Sequence, residues 1–475
     1  MKKYDAIIVG SGPNGFSAAI RLQLAGLSTL LVEGSDKIGG GMRTSELTLS
    51  GYHHDVCSAV HPMFFGSPFF DALPLADHGL KFMEAKYPLA HPLDDAPAVL
   101  LHRSMEEMTD VLGQDFSEYQ ALLSEVVYKW PSLAADVFGP LQVPHHPLLM
   151  AEFGLKALAS ASYIAKRFER METRALWAGL VAHGMQPLDR LGTSAIGLVL
   201  GGMAHRSGWP IAIGGSQAIS DALTAYYQDL GGEILLNHWL EDVRDLPQHE
   251  LLFLNMSPRQ VLQVKGLDLK LGYRKQLEKY RYGMGVFKID WALSDPTPFR
   301  DLACQQAATV HLGGTFEDIA ASELDAFRGR MNAKPYVLFS QPSVFDSSRA
   351  PAGKHTGWAY CHVPLGSEQD CTELIERQIE RFAPGFRDTI LGRSTMNAQQ
   401  MESYNPNYVG GDISGGIMDL GQMFTRPSFS LTPYRTSNPK VYITSSSTPP
   451  GGGVHGMCGY HAAHTALKDH YSPLK

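Results

Sequence analysis

The chain has 475 residues, more than one hydrophobic core usually organises, so about two or three domains are expected. With 44% hydrophobic and 19% charged residues it has a globular composition, not a disordered one. A formal net charge of −8 and a pI near 6.2 argue against a nucleic-acid binder, which would carry a basic face.

The five cysteines, Cys57, Cys304, Cys361, Cys371 and Cys458, contain no C-x-x-C pair. Neither a disulfide framework nor a metal site is expected, which suits a reducing cytoplasm. Cys361 and Cys371 are near enough in sequence to meet in space. The first strand starts almost at Met1 with no charged-then-apolar leader before it, so neither export nor organelle import is expected. The apolar stretch Thr193 to Ala204 is far short of the ~20 residues of a membrane span. The expectation is a cytoplasmic protein, with peripheral membrane contact left open.

In chain order, Tyr4 to Val9 is an apolar run bounded by glycine and reads as a buried parallel strand. Asn14 to Ala25 follows as a helix ended by Gly26, and Ser28 to Glu33 as a second buried strand, together a βαβ start. Ser45 to Val60 alternates like antiparallel strands. Arg103 to Trp130 and Pro147 to Arg170 read as helices of a second domain. Ser207 to Asn237 reads as a glycine turn, a helix from about Ser216 to Leu230 and a strand, Glu233 to Leu236. Glu250 to Asn255, Val286 to Leu293 and Pro335 to Phe339 read as strands, and Ser367 to Phe382 as a helix. Val441 to Thr444 is a last buried strand, running through a Ser/Pro/Gly loop into a helix from about Gly456 to Lys468. The predicted fold class is therefore α/β with an α+β second domain. A Rossmann-like domain is expected from residues 1–70, 205–265 and 425–475. A substrate domain of mixed sheet and helices is expected from 71–204 and 266–424.

Residues 10–15 read GSGPNG, a G-x-G-x-x-G in its proper place between strand and helix. Gly10 permits the tight turn, Gly12 lets the backbone approach a pyrophosphate, and Gly15 lets the helix pack close to the sheet. Pro13 and Asn14 open that helix, whose free N–H groups and positive dipole end face the phosphates. Glu33, 18 residues after Gly15, ends the second strand. Its carboxylate can accept from ribose hydroxyls and would repel a 2′-phosphate, which disfavours NADP.

Residues 39–44 read GGGMRT. A second glycine turn directly after the acidic strand is not required by a simple NAD site. In FAD enzymes of the glutathione-reductase and amine-oxidase type such a turn wraps the pyrophosphate and ribityl chain. Gly40, Gly41, Met42, Arg43 and Thr44 are thus candidate cofactor contacts, with Arg43 the cation. The C-terminal STPPGGGVHGMCG adds Gly452, Gly453, Val454 and His455, ahead of a helix N-terminus that could face the flavin edge where charge grows on reduction. Gly283 and Gly285 lack a third glycine, and Gly214 and Gly215 lack the spacing. One nucleotide, non-covalent FAD, is expected.

These stretches, with GYHHDVCSAVHP (51–62) and GWPIAIGGSQAISDAL (208–223), resemble the phytoene desaturase and carotenoid isomerase family of flavoproteins. The resemblance is greatest to the branch of the pyridine nucleotide-disulphide oxidoreductase domain-containing protein 2, although no cysteine pair supports disulfide chemistry. It covers the flavin-binding portions well and the substrate portion poorly. Where amine oxidases usually end the last flavin strand in Gly-Asp, this chain reads ITSSSTPPG, so Ser445, Ser446 or Thr448 would meet the ribityl chain. The resemblance implies that the segment after GGGMRT returns along the isoalloxazine. His54, Ser58 and His61 are then candidate flavin-lining or catalytic residues, and His455 a fourth that could stabilise reduced flavin or shuttle a proton.

The function implied is hydride transfer between an apolar, polyene or isoprenoid-like substrate and FAD, of desaturase type, with oxygen or a quinone as electron acceptor. Redox-neutral isomerisation or saturation by reduced FAD is one alternative, amine oxidation a weaker one, and an FAD-binding interaction protein with little turnover another, since one flavin scaffold hosts many chemistries. The segment Pro147 to Arg170 carries an apolar stripe that would serve as a core face or as a membrane-facing lip.

Overall fold

The computed structural model describes residues 2–471. Tyr4–Val9 has β-rich, apolar residues buried on both faces and forms the centre of a five-stranded parallel sheet. Its order is Val441–Ile443, His249–Leu254, Tyr4–Val9, Thr29–Val32, Glu233–Leu235. Three widely separated parts of the chain therefore make one sheet, with Ala6 paired to Leu251 on one side and to Thr29 on the other. The helix Pro13–Gln23 begins with proline at its first turn, where no N–H is missed, and Gly26 ends the connection at φ +85°.

A second, seven-stranded sheet is mostly antiparallel. Its order is Ile390–Met396, Gly285–Leu293, His355–Val363, Val337–Ser340, Ala307–Leu312, Tyr87–His91, Val99–Leu101. Only Ala307–Leu312 and Tyr87–His91 pair in parallel there. Trp291 and Phe339 each pack edge-on against Phe386 under one face of this sheet and meet one another at a tilt. The helices Phe116–Val137, Pro147–Ala157, Met171–Ala182 and Ser194–Arg206 form a cap whose core is continuous with that of the parallel sheet.

Several sequence-based boundaries change. The helix expected over 103–130 is a short helix Met108–Leu112, broken at Gly113 (φ +55°), followed by a longer one, Phe116–Val137. The longer helix is interrupted at Lys129, two residues before Pro131, which lacks an N–H and crowds the preceding turn. The stretch expected as one helix over 147–170 breaks after Ala157, and the hydroxyl of Ser160 caps a new short helix by accepting from the Tyr163 N–H. Thr193 to Ala204 is mostly the buried helix Ser194–Arg206, and no helix among the described residues is long and apolar enough to cross a membrane.

A flavin cradle joined to an apolar chamber

One cavity of about 990 Å³ runs along the carboxyl end of the parallel sheet and into the helical cap. Its first part is built by backbone. Gly10 turns the chain at φ +98°. A Cβ on Gly15 would lie 1.8 Å from the Gly10 carbonyl oxygen, and one on Gly459 1.7 Å from the Asn14 carbonyl oxygen. The helices Pro13–Gln23 and Met457–His470 thus touch backbone to backbone. A Cβ on Gly40 would lie 2.9 Å from the Gly12 Cα, so the two glycine turns also meet directly.

Side chains lock this cradle. Ser11 donates from its N–H (2.9 Å) and its hydroxyl (2.6 Å) to Glu33 Oε2, while its hydroxyl accepts from the Gly39 N–H at 3.0 Å. The Ser35 N–H donates to Glu33 Oε1 at 3.0 Å, and Arg43 Nη2 lies 3.3 Å from the same oxygen. Arg43 also donates to the carbonyls of Ile38 and Lys37, so it closes the turn that carries it. Ser58 gives both its N–H and its hydroxyl to the Gly41 carbonyl.

Of the residues expected at the cofactor, Gly10, Gly12, Pro13, Asn14, Glu33, Gly40, Gly41, Arg43, Gly452, Gly453, Val454 and His455 line the cavity, as do Ser58 and His61. Ser445 and Ser446 line it and Thr448 does not, its hydroxyl being spent on the Ser445 carbonyl. Gly15, Met42, Thr44 and His54 do not line it. Gly15 serves helix packing, Met42 is wholly buried in the core, and Thr44 donates to Asp55 Oδ1 at 2.7 Å. His54 pairs opposite Ser45 and turns the other way, to Thr48 (2.8 Å) and towards Asp290 (3.7 Å). Burial, with Lys288 and Arg349 nearby, pushes its pKa down to about 3, so it is neutral and remote from the cradle.

The two remaining histidines differ. His455 Nδ1 accepts from the Met457 N–H at 3.0 Å and Nε2 donates to the Gly451 carbonyl at 3.2 Å. Both nitrogens are occupied, and the ring shapes the glycine loop and stacks on Phe138. At His61, Nε2 lies 3.0 Å from the Ser216 hydroxyl, whose own hydrogen goes to the Ser58 carbonyl. Nε2 therefore carries the His61 proton, and Nδ1 is a buried acceptor with no partner. Burial holds both histidines near pKa 4, neutral at pH 7.

Sequence reasoning missed three supports. Asn255 Nδ2 donates to the Gly10 carbonyl at 3.2 Å and completes the first turn from 245 residues away. Trp239 packs against Gly34 so closely that a Cβ there would meet its ring at 2.6 Å. The buried Arg426 donates to the carbonyls of Ser446 (2.7 Å), Gly415 (3.1 Å) and Ser447 (3.4 Å), fixing the C-terminal loop. A lone Arg before a proline carries no local signal of such a role.

The residues fit a flavin dinucleotide. Two glycine turns leave bare backbone for a pyrophosphate, two helix N-termini point into the same space, and Asn14 Oδ1 and His61 Nδ1 are buried without partners. The carboxylate of Glu33 lines the cavity just past the second strand, where it would face a ribose. Fold and cradle together define the class, an FAD-dependent oxidoreductase with a Rossmann-like domain.

The comparisons agree. A family model described as an NAD(P)-binding Rossmann-like domain matches residues 8–72. The chain is similar to the pyridine nucleotide-disulfide oxidoreductase domain-containing protein 2 of Rattus norvegicus, 24% identical over 98% of this chain and 94% of that protein. It is also similar to a phytoene desaturase (lycopene-forming) of Paracoccus sp., 22% identical over 96% of this chain and 95% of that one. Among solved structures, an oxidoreductase from Methanosarcina mazei shares the fold with a TM-score of 0.66 at 13% identity, covering 98% of this chain and 100% of that chain. All five cysteines here are free thiols, Cys361 and Cys371 sitting side by side.

Proposed function

We propose that the chain transfers hydride between an apolar, isoprenoid-like substrate and FAD, in the manner of a desaturase, with oxygen or a quinone taking the electrons. The observation that carries this reading is the continuity of the cavity. Beyond the cradle it enters a chamber lined by Phe138, Met150, Phe153, Ile196, Val199 and Leu338. Bound FAD supplies the two-electron acceptor for a substrate C–H bond. The chain's own part is to hold that bond in place and to keep water out. His61, neutral and with Nδ1 unshared, is one wall residue able to accept a hydrogen bond, as Asn14 and Gln186 are through their own unpartnered oxygens. The cavity-lining carboxylates are Glu33, tied into the cradle, and Asp136, tied to His145, which leaves no free anion for a substrate ammonium and disfavours amine oxidation.

Anaerobic addition of polyisoprenoid hydrocarbons and alcohols to the FAD-loaded protein is expected to bleach the flavin, and amines are not. Bleaching by amines alone would overturn the reading. Turnover only after prior reduction of the flavin would select isomerisation or saturation instead, and flavin that no donor or acceptor turns over would select the interaction protein.

A second proposal concerns the mouth of the chamber, a peripheral contact with a bilayer. Leu141, Leu158 and Phe424 line the cavity and are also exposed, beside Val143, Leu148, Leu155 and Phe429, each about 80% exposed or more. Such a cluster is costly in water unless something covers it. The protein is expected to float with phosphatidylcholine/phosphatidylglycerol vesicles. Leu148→Ser with Leu155→Ser should weaken that binding more than tenfold, at about 1.5–3 kcal/mol per apolar side chain. No flotation of the unmodified protein would remove the proposal.

A further inference from the structure

The inner end of the apolar chamber is not apolar. The helix Met171–Ala182 ends there, and the turn after it presents His183 and Gln186 to the cavity. Gln186 is 4% exposed, its side chain makes no hydrogen bond, and its Oε1 is buried without a partner. An unsatisfied buried amide costs about 1–3 kcal/mol, which a chamber meant for hydrocarbon alone would avoid by placing leucine there. His183 is half-buried and bonded only through Nε2, 3.0 Å from Nε2 of the fully buried His311. Its ring packs edge-on to Trp209, another wall of the chamber. Burial holds both imidazoles well below their usual pKa, so both are neutral and one hydrogen lies between them. If His311 donates it, His183 Nδ1 carries a hydrogen and is a donor. If His183 donates it, Nδ1 is an acceptor. Thr309 and Tyr360 also line the cavity.

We propose that the His183–Gln186 turn recognises an oxygen function, a hydroxyl or a carbonyl, on an otherwise apolar substrate, so that the substrate is an oxygenated lipophile and not a plain hydrocarbon. The inference rests on the apolar-substrate reading above and narrows it. The histidine pair suits a hydroxyl or a carbonyl, because its two neutral tautomeric states, which differ at both rings, present His183 Nδ1 as an acceptor in one and as a donor in the other. Gln186 offers an amide N–H and a carbonyl beside it.

The test is direct binding to the FAD-loaded protein, by calorimetry, of a matched C15 set: farnesene, farnesol and farnesal. Farnesol and farnesal are expected to bind about tenfold more tightly than farnesene, the worth of one or two neutral hydrogen bonds. In Gln186→Leu, and separately in His183→Phe, that preference should shrink to about twofold or less, with farnesene binding at least as well as before. Gln186→Leu removes an unsatisfied group and should fold at least as stably as the unmodified chain. Equal binding of all three compounds overturns the inference and leaves the apolar-substrate reading standing. A preference for the oxygenated pair that survives in both variants overturns it too. No binding of any of the three overturns the apolar-substrate reading itself, and the inference with it.

Discussion

Replacing Gly12 by valine is expected to leave a folded protein that holds almost no flavin. The reason lies in what surrounds each glycine of the first turn. A Cβ on Gly15 would sit 1.8 Å from a backbone oxygen, so substitution there breaks the βαβ unit itself. A Cβ on Gly12 meets only Asn255 Nδ2, at 3.1 Å, the tip of a side chain that can swing aside. The chain tolerates a side chain at Gly12, but the space that side chain fills belongs to the pyrophosphate. Hydrogen bonds from helix N–H groups to a phosphate are worth about 1.5–3 kcal/mol each, so losing two weakens FAD binding by about a hundredfold or more. The measurement is flavin absorbance per protein after reconstitution, with near-ultraviolet circular dichroism as the check on folding. Normal flavin content in a folded Gly12→Val protein would displace the cofactor from this cradle. Glu33→Ala is a less clean probe, since Glu33 also orders Ser11, Ser35 and Arg43.

How much of this was legible depended on the range of the interaction. The G-x-G-x-x-G turn, Glu33 and the GGGMR turn lie within the first 44 residues, and their spacing alone places them around a dinucleotide. His455 stood out because it interrupts a glycine run, yet its role is set by the geometry of that loop, which consumes both ring nitrogens. His54 was misjudged for a similar reason. A strand alternates its side chains, and which face looks inward is fixed by the pairing of Ser45 with His54 and by what packs behind, not by proximity to a motif. The strand Tyr87–His91 hides behind Pro88 and finds its partner in Ala307–Leu312, more than two hundred residues away. His183 and Gln186 carry no motif at all. They become noticeable only when the helices around them enclose a cavity and leave their polar atoms without partners.

The same long-range logic governs the second large effect, at the buried Asp55–Arg349 pair behind the cradle wall. Asp55 and Arg349 are essentially inaccessible and lie 2.7 Å apart. Asp55 also accepts from Thr44 and from the Ser216 N–H, so it ties the hairpin after the second glycine turn to the helix Gln217–Asp229. Burial alone would raise its pKa, but Arg349, the Ser216 N–H and Thr44 together outweigh burial and hold the carboxyl below its ordinary value. Arg349→Met keeps the volume and removes the charge, which should cost about 3–5 kcal/mol at pH 7 because a buried carboxylate is left without its cation. The direction with pH distinguishes this from simple loss of packing. In the unmodified protein, the stability contributed by Asp55 is present above the unfolded carboxyl pKa and is lost as pH falls through the depressed folded value. In Arg349→Met the folded pKa of Asp55 rises above the unfolded value, so that variant loses stability as pH rises through the new folded pKa. The stability gap between the two proteins should therefore be widest near neutrality and narrow on acidification towards pH 5. The buried neutral histidines, His61 and His455 among them, have folded pKa values pushed down to about 4, so their stabilisation is complete above about 6.5 and declines as pH falls towards 4. The His455 part of that decline cancels in the difference, whereas His61 and Asp290, the latter raised to about 6 by burial, are both held down by Arg349, rise without it and narrow the gap in the same direction. Denaturant midpoints at pH 7, 6 and 5 measure the gap directly. A gap that stays constant across that range would mean that Arg349 contributes shape alone, whereas a narrowing gap assigns its contribution to the charge it places among Asp55, Asp290 and His61.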